Sequence, residues 1–162
     1  MTRFFTIPYD TNFSKKFTHF IILTKENLVI SFKSCYFAEN YGKMDRYNKE
    51  RLVEIVLYVL NKTGELDYHT LLKTIYFAEL KHLAKWGQRM TEDDVCAMPY
   101  GPVLSHLLDA IKGDSHEREL SQMLRTAFKF ASEDASNIML PLRKANEDYL
   151  SESEKEALDA SI

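Results

Sequence analysis

The best-spaced pair of side chains that could do chemistry is Glu79 with His82. A carboxylate and an imidazole three residues apart on one helix are the spacing used in the di-metal sites of helical bundles. Such a site also needs a second Glu-x-x-His pair and two further glutamates, and only this pair lies on a clearly predicted helix. We therefore interpret Glu79 and His82 as an ordinary contact on the flank of a helix, and a metal-dependent enzyme that uses both residues stays an alternative.

The other histidines and the two cysteines form no recognisable catalytic or metal-binding motif. His69 and His82 are separated by thirteen positions, which places them about 220° apart around a helix. Cys35 and Cys96 are too few and too far apart for a disulfide framework or a zinc quartet. The sequence also lacks the G-x-S-x-G, phosphate-loop and H-E-x-x-H motifs. We expect no catalytic residues, no metal and no cofactor, and a protein that is not an enzyme.

Residues 88–101 hold the candidate binding residues, because they show no helical period and long connections in compact domains are uncommon unless functional. An acidic run is usually only a solvated loop, but aromatic side chains of the kind found at both ends of this one often anchor protein interfaces. The candidate partner-binding residues are Trp86, Glu92, Asp93, Asp94 and Tyr100. We expect them to meet a basic protein partner.

Charge is distributed unevenly around a net value of −3. Residues 1–43 carry six basic and three acidic side chains, whereas residues 44–162 carry 15 basic and 21 acidic ones and have a net charge of −6. An acidic body is poorly suited to a phosphate backbone and better suited to a cationic protein. We therefore expect no nucleic-acid partner.

The most apolar N-terminal run, residues 17–23, is interrupted by Lys25 and Glu26 before it reaches the length of a signal sequence or a membrane span. We expect no membrane association and a cytoplasmic protein. The oligomeric state is not predicted from the sequence.

Periodicity and capping residues predict a mainly α-helical domain with a short β-hairpin as a minor component. In two of the five helices the N-terminus is predicted by a capping box, Asp114 with Glu117 and Ser151 with Glu154. The predicted helices cover residues 45–61, 67–85, 102–112, 114–127 and the stretch from residue 151. The predicted hairpin joins Phe128–Ala131 to Ile138–Leu142.

Residues 1–43 differ from the rest in being rich in Phe, Thr and Ile. Phe17–Thr24 and Leu28–Phe32 could be two strands of a hairpin. A second interpretation is that translation naturally starts at Met44 and that residues 1–43 are a non-native upstream segment. Both interpretations stay open, and in each of them residues 44–162 form the main domain.

An ordered series of residues resembles the Panacea domain of SocA-like antitoxins and prophage-associated proteins. The series consists of Leu72–Leu83, Trp86-Gly87, Met90-Thr91, Ala97 and Pro99–Val103. Similarity begins near Met44 and continues weakly through residues 150–154. Within the motif, the positions assigned structural roles are Tyr76, His82, Gly87, Gly101 and Pro102, of which Gly101 supplies an unusual backbone conformation and Pro102 sets the start of the third helix.

The resemblance implies an antitoxin that binds and neutralises a toxin encoded beside it, and in some relatives an adaptor that delivers the toxin to a cellular protease. It implies no enzymatic activity. The sequence departs from the family pattern at Glu92 and Leu104, and the family's C-terminal segment beyond Ile162 is missing, so we expect a domain shortened at that end.

The remaining alternative is a DNA-binding regulator of a prophage or toxin–antitoxin operon, because a helical body with a β-hairpin can resemble a winged helix. The third and fourth predicted helices offer few basic residues for phosphate contacts.

Overall fold

The structure is a computed structural model that describes residues 20–23, 29–32, 44–99, 101–131 and 137–162. Short 3-10 helices at Ser115–Glu117 and Glu147–Tyr149 accompany the main elements. In chain order the main elements are β1 (Phe20–Leu23), β2 (Val29–Phe32), α1 (Arg46–Thr63), β3 (Leu66–Asp67), α2 (Tyr68–Trp86), β4 (Val95–Met98), β5 (Gly101–Leu104), α3 (Ser105–Lys112), α4 (Arg118–Ala127), β6 (Phe128–Phe130), β7 (Ile138–Pro141) and α5 (Glu152–Asp159).

Helix α1 lies at the centre of the domain and contacts α2, α4 and β7. It begins where the Asp45 side chain accepts a hydrogen bond from the Asn48 amide, and it ends at Gly64, whose φ is 80°. Every residue from 52 to 60 is buried, as expected for a helix with apolar residues around most of its circumference.

Helix α2 contacts α1 and carries Glu79 and His82. The Asp67 side chain caps its N-terminus by accepting a hydrogen bond from the Thr70 amide, which confirms the predicted cap. Gly87 ends the helix in the left-handed conformation with φ of 70°, which a glycine adopts at little cost. Leu72 and Ile75 face the core.

The described strands form three small antiparallel groups. The predicted hairpin is present as β6 and β7, and the two-residue β3 joins the far side of β7. Strands β1 and β2 pair with Phe20 opposite Phe32. The mainly α-helical class with a minor β component is confirmed.

The third group, β4 with β5, corrects the expectation that residues 88–101 are irregular throughout. It pairs Val95 with Leu104 and Ala97 with Pro102. Pro102 is therefore inside a strand and not at the first turn of α3, which begins at Ser105. A two-stranded ribbon consists of edge strands, so a proline without an N–H can be accommodated there.

The start of α4 also differs from the prediction. The Asp114 side chain accepts a hydrogen bond from the His116 amide at 2.9 Å and caps the short 3-10 helix that precedes α4. The expected capping box with Glu117 does not form, because Glu117 Oε1 lies 2.7 Å from His106 Nδ1.

Helix α5 packs against α2 and buries Ala157 and Leu158. Its predicted capping box is confirmed by hydrogen bonds in both directions between Ser151 and Glu154. Over the described ranges, the structure holds no helix with the length and apolar character needed to cross a membrane.

Candidate functional site

The connection of residues 87–99 leaves α2 at Gly87 and is fastened back to that helix by Glu79. Glu79 is buried, and its Oε2 accepts hydrogen bonds from the amides of Met90 at 2.9 Å and Thr91 at 3.0 Å. Its Oε1 accepts from Arg89 Nε at 2.8 Å. Arg89 also donates to the Asp93 carbonyl oxygen. One buried carboxylate thus fixes the first half of the connection.

His82 makes a second attachment one turn further along α2. Its Nδ1 lies 2.8 Å from the Gln88 carbonyl oxygen, and its Nε2 lies 3.1 Å from the Ser153 hydroxyl. A carbonyl oxygen can only accept, so Nδ1 donates to Gln88, and Nε2 shares a hydrogen bond with the hydroxyl. The ring also packs against Trp86, with the ring centroids 4.9 Å apart. His82 therefore joins the connection to the start of α5.

Asp93 makes the third attachment and corrects one of the sequence predictions. It is fully buried, and its two carboxylate oxygens accept hydrogen bonds from the amides of His106 and Leu107, both at 2.9 Å. Burial raises the pKa of Asp93 to about 6, although the two amide hydrogen bonds act in the opposite direction. Asp93 caps α3 from within the core, so it is not available to a basic partner.

Two further contacts hold the end of the connection. The Ser105 amide and hydroxyl both donate to the Asp94 carbonyl oxygen, at 2.8 and 2.9 Å. On the other side, Lys73 Nζ donates to the Pro102 carbonyl oxygen at 2.7 Å. Gly101 has φ of 103°, and a Cβ at this position would lie 2.8 Å from Lys73 Nζ. The backbone conformation therefore favours glycine there, and a larger residue would also require the end of the Lys73 side chain to shift.

The structure separates the five predicted partner-binding residues. Glu92 is exposed, Asp94 and Trp86 are half-buried, and Asp93 is in the core. Lys85 Nζ lies 4.4 Å from the centre of the Trp86 ring. Tyr100 lies outside the described residues. Binding by Trp86, Glu92 and Asp94 stays a prediction.

This geometry adds no metal ligands to Glu79 and His82 in support of the metal-dependent enzyme that the sequence left as an alternative. The Glu79 carboxylate already accepts three hydrogen bonds, and both ring nitrogens of His82 have partners. Among the side chains that the structure describes, no three His, Cys, Asp or Glu residues are grouped so that they could hold a metal ion. Tyr76, the remaining motif residue on α2, is buried, and this raises the pKa of its phenol.

Sequence reasoning missed the partners that hold the connection, above all Arg89 and the amides of His106 and Leu107. Glu79 meets residues ten to twelve positions away, and Asp93 meets residues thirteen and fourteen positions away. These separations correspond to no local capping pattern. The only local signal was negative, namely the absence of a capping side chain at the start of α3.

A family model described as "Antitoxin SocA-like, Panacea domain" matches residues 71–162, which is more than half of the chain. The matched region contains Glu79, His82 and Asp93, and therefore all three attachments of the connection. No curated protein and no solved structure matches the chain.

Proposed function

Because the chain belongs to the family of SocA-like antitoxins with a Panacea domain, we propose that it neutralises a protein toxin, encoded by a neighbouring gene, by binding the toxin directly. The observation that carries this proposal is the way in which buried groups fix residues 87–99 at three points, through Glu79, His82 and Asp93. A backbone fixed before binding loses less conformational entropy when a partner docks.

The side chains left on the outside of this connection support a basic partner. Glu92 is exposed and Asp94 half-exposed, and the body that carries them has an excess of acidic residues. Rim charges of this kind accelerate the encounter with a protein of opposite charge. Trp86, half-exposed at the start of the connection, is of the residue type that most often anchors an interface.

We further propose that the protein acts by binding and not by catalysis. Glu79 and His82 are the best-spaced acid and base in the sequence, and both are occupied by backbone and side-chain partners within the fold. An adaptor role, in which the bound toxin is passed to a cellular protease, is compatible with the same surface. It is distinguished from simple neutralisation by whether the toxin is degraded.

The test is to express the neighbouring gene product alone and together with this protein. We expect the product to arrest growth when it is alone, and we expect co-expression to restore growth with both proteins purifying as one complex. A stable toxin level on co-expression indicates neutralisation by binding, whereas a shortened toxin half-life indicates delivery to a protease. A product that is harmless alone would contradict the antitoxin function.

The surface is tested separately by reversing one charge. Glu92→Lys should slow association several-fold and make it less sensitive to salt, because Glu92 is an exposed charge on the proposed rim. Glu65→Lys is the matched control, since Glu65 is likewise exposed but lies in the short connection between α1 and α2. If the two substitutions changed association equally, the connection would not be part of the interface. The proposed antitoxin function would still stand.

A further inference from the structure

A groove with basic side chains, in contrast to the acidic connection of residues 87–99, opens between α3, α4 and β6. Its volume is about 380 Å³. Three cationic side chains and one partly exposed phenylalanine contribute to its wall, together with apolar and small residues, and none of the described lining residues carries a carboxylate. We call it the cationic groove and define it by Lys112, Arg125, Lys129 and Phe130.

The three cations of the groove are exposed, and within the described parts of the chain none of them forms an ion pair. Several cations elsewhere are engaged in the fold: Lys49 binds Glu119 at 2.6 Å, and Arg143 binds Glu54 at 2.6 Å. The positive charge in the groove is therefore not neutralised by a salt bridge from its own wall.

An acidic residue beside the groove offsets part of this charge. Asp109 is half-buried and interacts electrostatically with Lys112, while burial and the neighbouring Asp114 raise its pKa. Among its described lining residues the groove still has three cations and no carboxylate, on a body that is acidic overall.

Two phenylalanines give the groove an apolar wall. Phe128 is buried, and Phe130 remains 39% exposed and packs edge-on against it, with the ring centroids 5.6 Å apart. An exposed aromatic ring beside unpaired cations suits a ligand that brings an apolar side chain together with negative charge.

We propose that the cationic groove binds an acidic segment of a protein partner, with carboxylates near Arg125 and Lys129 and an apolar side chain against Phe130. This site lies on elements other than the connection of residues 87–99, so the proposal does not depend on the toxin. Nucleic acid is disfavoured as the occupant, because three clustered cations cannot track a phosphate backbone that the acidic body repels.

The test measures binding of labelled short peptides to the full-length protein by fluorescence anisotropy. The probe is a peptide of alternating Glu and Leu, compared with a peptide of alternating Lys and Leu and with a short DNA duplex. We expect the Glu-Leu peptide to bind most tightly and to weaken between about 50 and 200 mM salt, as an interaction between exposed charges should. Tighter binding of the Lys-Leu peptide or of the duplex would overturn the proposal.

Two double variants with the same change in net charge localise the binding. Arg125→Glu with Lys129→Glu should weaken Glu-Leu peptide binding at least about tenfold, whereas Arg118→Glu with Lys144→Glu should change it less than about twofold. Arg118 and Lys144 are likewise exposed and form no ion pair in the described ranges. Equal weakening in both would show that only the overall charge matters and would overturn the site.

Thermal unfolding by circular dichroism checks that both variants fold. If the variant with Arg125→Glu and Lys129→Glu does not fold, a variant with Arg125→Gln and Lys129→Gln replaces it in the binding test. This second variant removes the same charges without reversing them. Unchanged peptide affinity in that neutral variant would likewise overturn the proposal.

Discussion

Charged residues serve opposite purposes in the connection of residues 87–99 and in the cationic groove. In the connection, Glu79 and Asp93 are buried, and each accepts hydrogen bonds from two backbone amides. In the groove, Lys112, Arg125 and Lys129 are exposed and, as far as the structure describes the chain, have no salt-bridge partner. An acidic run in a sequence therefore does not by itself mark a binding surface, and isolated cations on three elements can form one.

The difference follows from the cost of removing a charge from water. A buried carboxylate is tolerated only when hydrogen bonds compensate its desolvation, and removing it leaves its donors without partners. An exposed cation keeps its hydration, so removing it costs the fold little. Substitutions should therefore lower stability in the connection and leave it nearly unchanged in the groove.

The largest effect is expected for Glu79→Ala. This substitution leaves the buried amides of Met90 and Thr91 without an acceptor and removes the partner of Arg89. We expect the free energy of unfolding, measured with urea, to fall by about 3 to 4 kcal/mol. Glu92→Ala, on an exposed residue thirteen positions away, should change it by less than about 0.5 kcal/mol.

If Glu79→Ala and Glu92→Ala lowered the free energy of unfolding by equally small amounts, the contrast between the connection and the groove would fail. Glu79→Gln sharpens it, because an amide oxygen in the place of Oε2 can still accept from the Met90 and Thr91 N–H groups, while an amide nitrogen in the place of Oε1 cannot accept from Arg89. Its cost should fall between those of the two alanine variants.

A smaller effect, and one that depends on pH, is expected at Asp93. Burial raises the pKa of this carboxyl to about 6 in the folded protein, against an ordinary value of 3.8. The folded state then binds the proton more tightly than the unfolded state does. Asp93 should therefore add stability as the pH falls through 6 towards 4, by up to about 3 kcal/mol, and this gain is lost as the pH rises again.

The measurement is the free energy of unfolding of the unmodified protein minus that of Asp93→Asn, followed from about pH 7 to about pH 4. Taking the difference cancels the titration of carboxyl groups that the two proteins share. The difference should grow as the pH falls. A difference that shrinks would mean that the amide hydrogen bonds from His106 and Leu107 outweigh burial and keep Asp93 ionised.

Local signals in the sequence predicted much of the helical framework, because caps act within a few residues. Asp67, Gly87 and the Ser151–Glu154 box mark helix ends as predicted. The β4–β5 ribbon was missed, since its strands are short and its place is fixed by contacts from Lys73 and Ser105. Pro102, which suits a helix start as well as an edge strand, was consequently assigned to the wrong element.

The candidate sites were harder to predict than the helices, because both depend on tertiary approach. The sequence shows Asp93 beside Glu92 and Asp94, yet only the position of α3 decides that Asp93 turns inward. The groove collects Lys112, Arg125 and Lys129 from three elements. The basic residues of the third and fourth helices were considered in the sequence only as too few for phosphate contacts.

The smallest effects are expected in the groove. Lys129 lies on β6 with its charge in solvent, so Lys129→Gln should change the free energy of unfolding by less than about 0.3 kcal/mol. Arg125 lies in the last turn of α4, where a cation compensates the helix dipole, and Arg125→Gln should cost about 0.3 to 1 kcal/mol. High salt should reduce that cost, because it screens exposed charges. Urea unfolding at low and high salt measures both effects. Losses of about 2 kcal/mol or more at both positions would mean that these cations hold the fold as Glu79 does, and the contrast between the two regions would no longer stand.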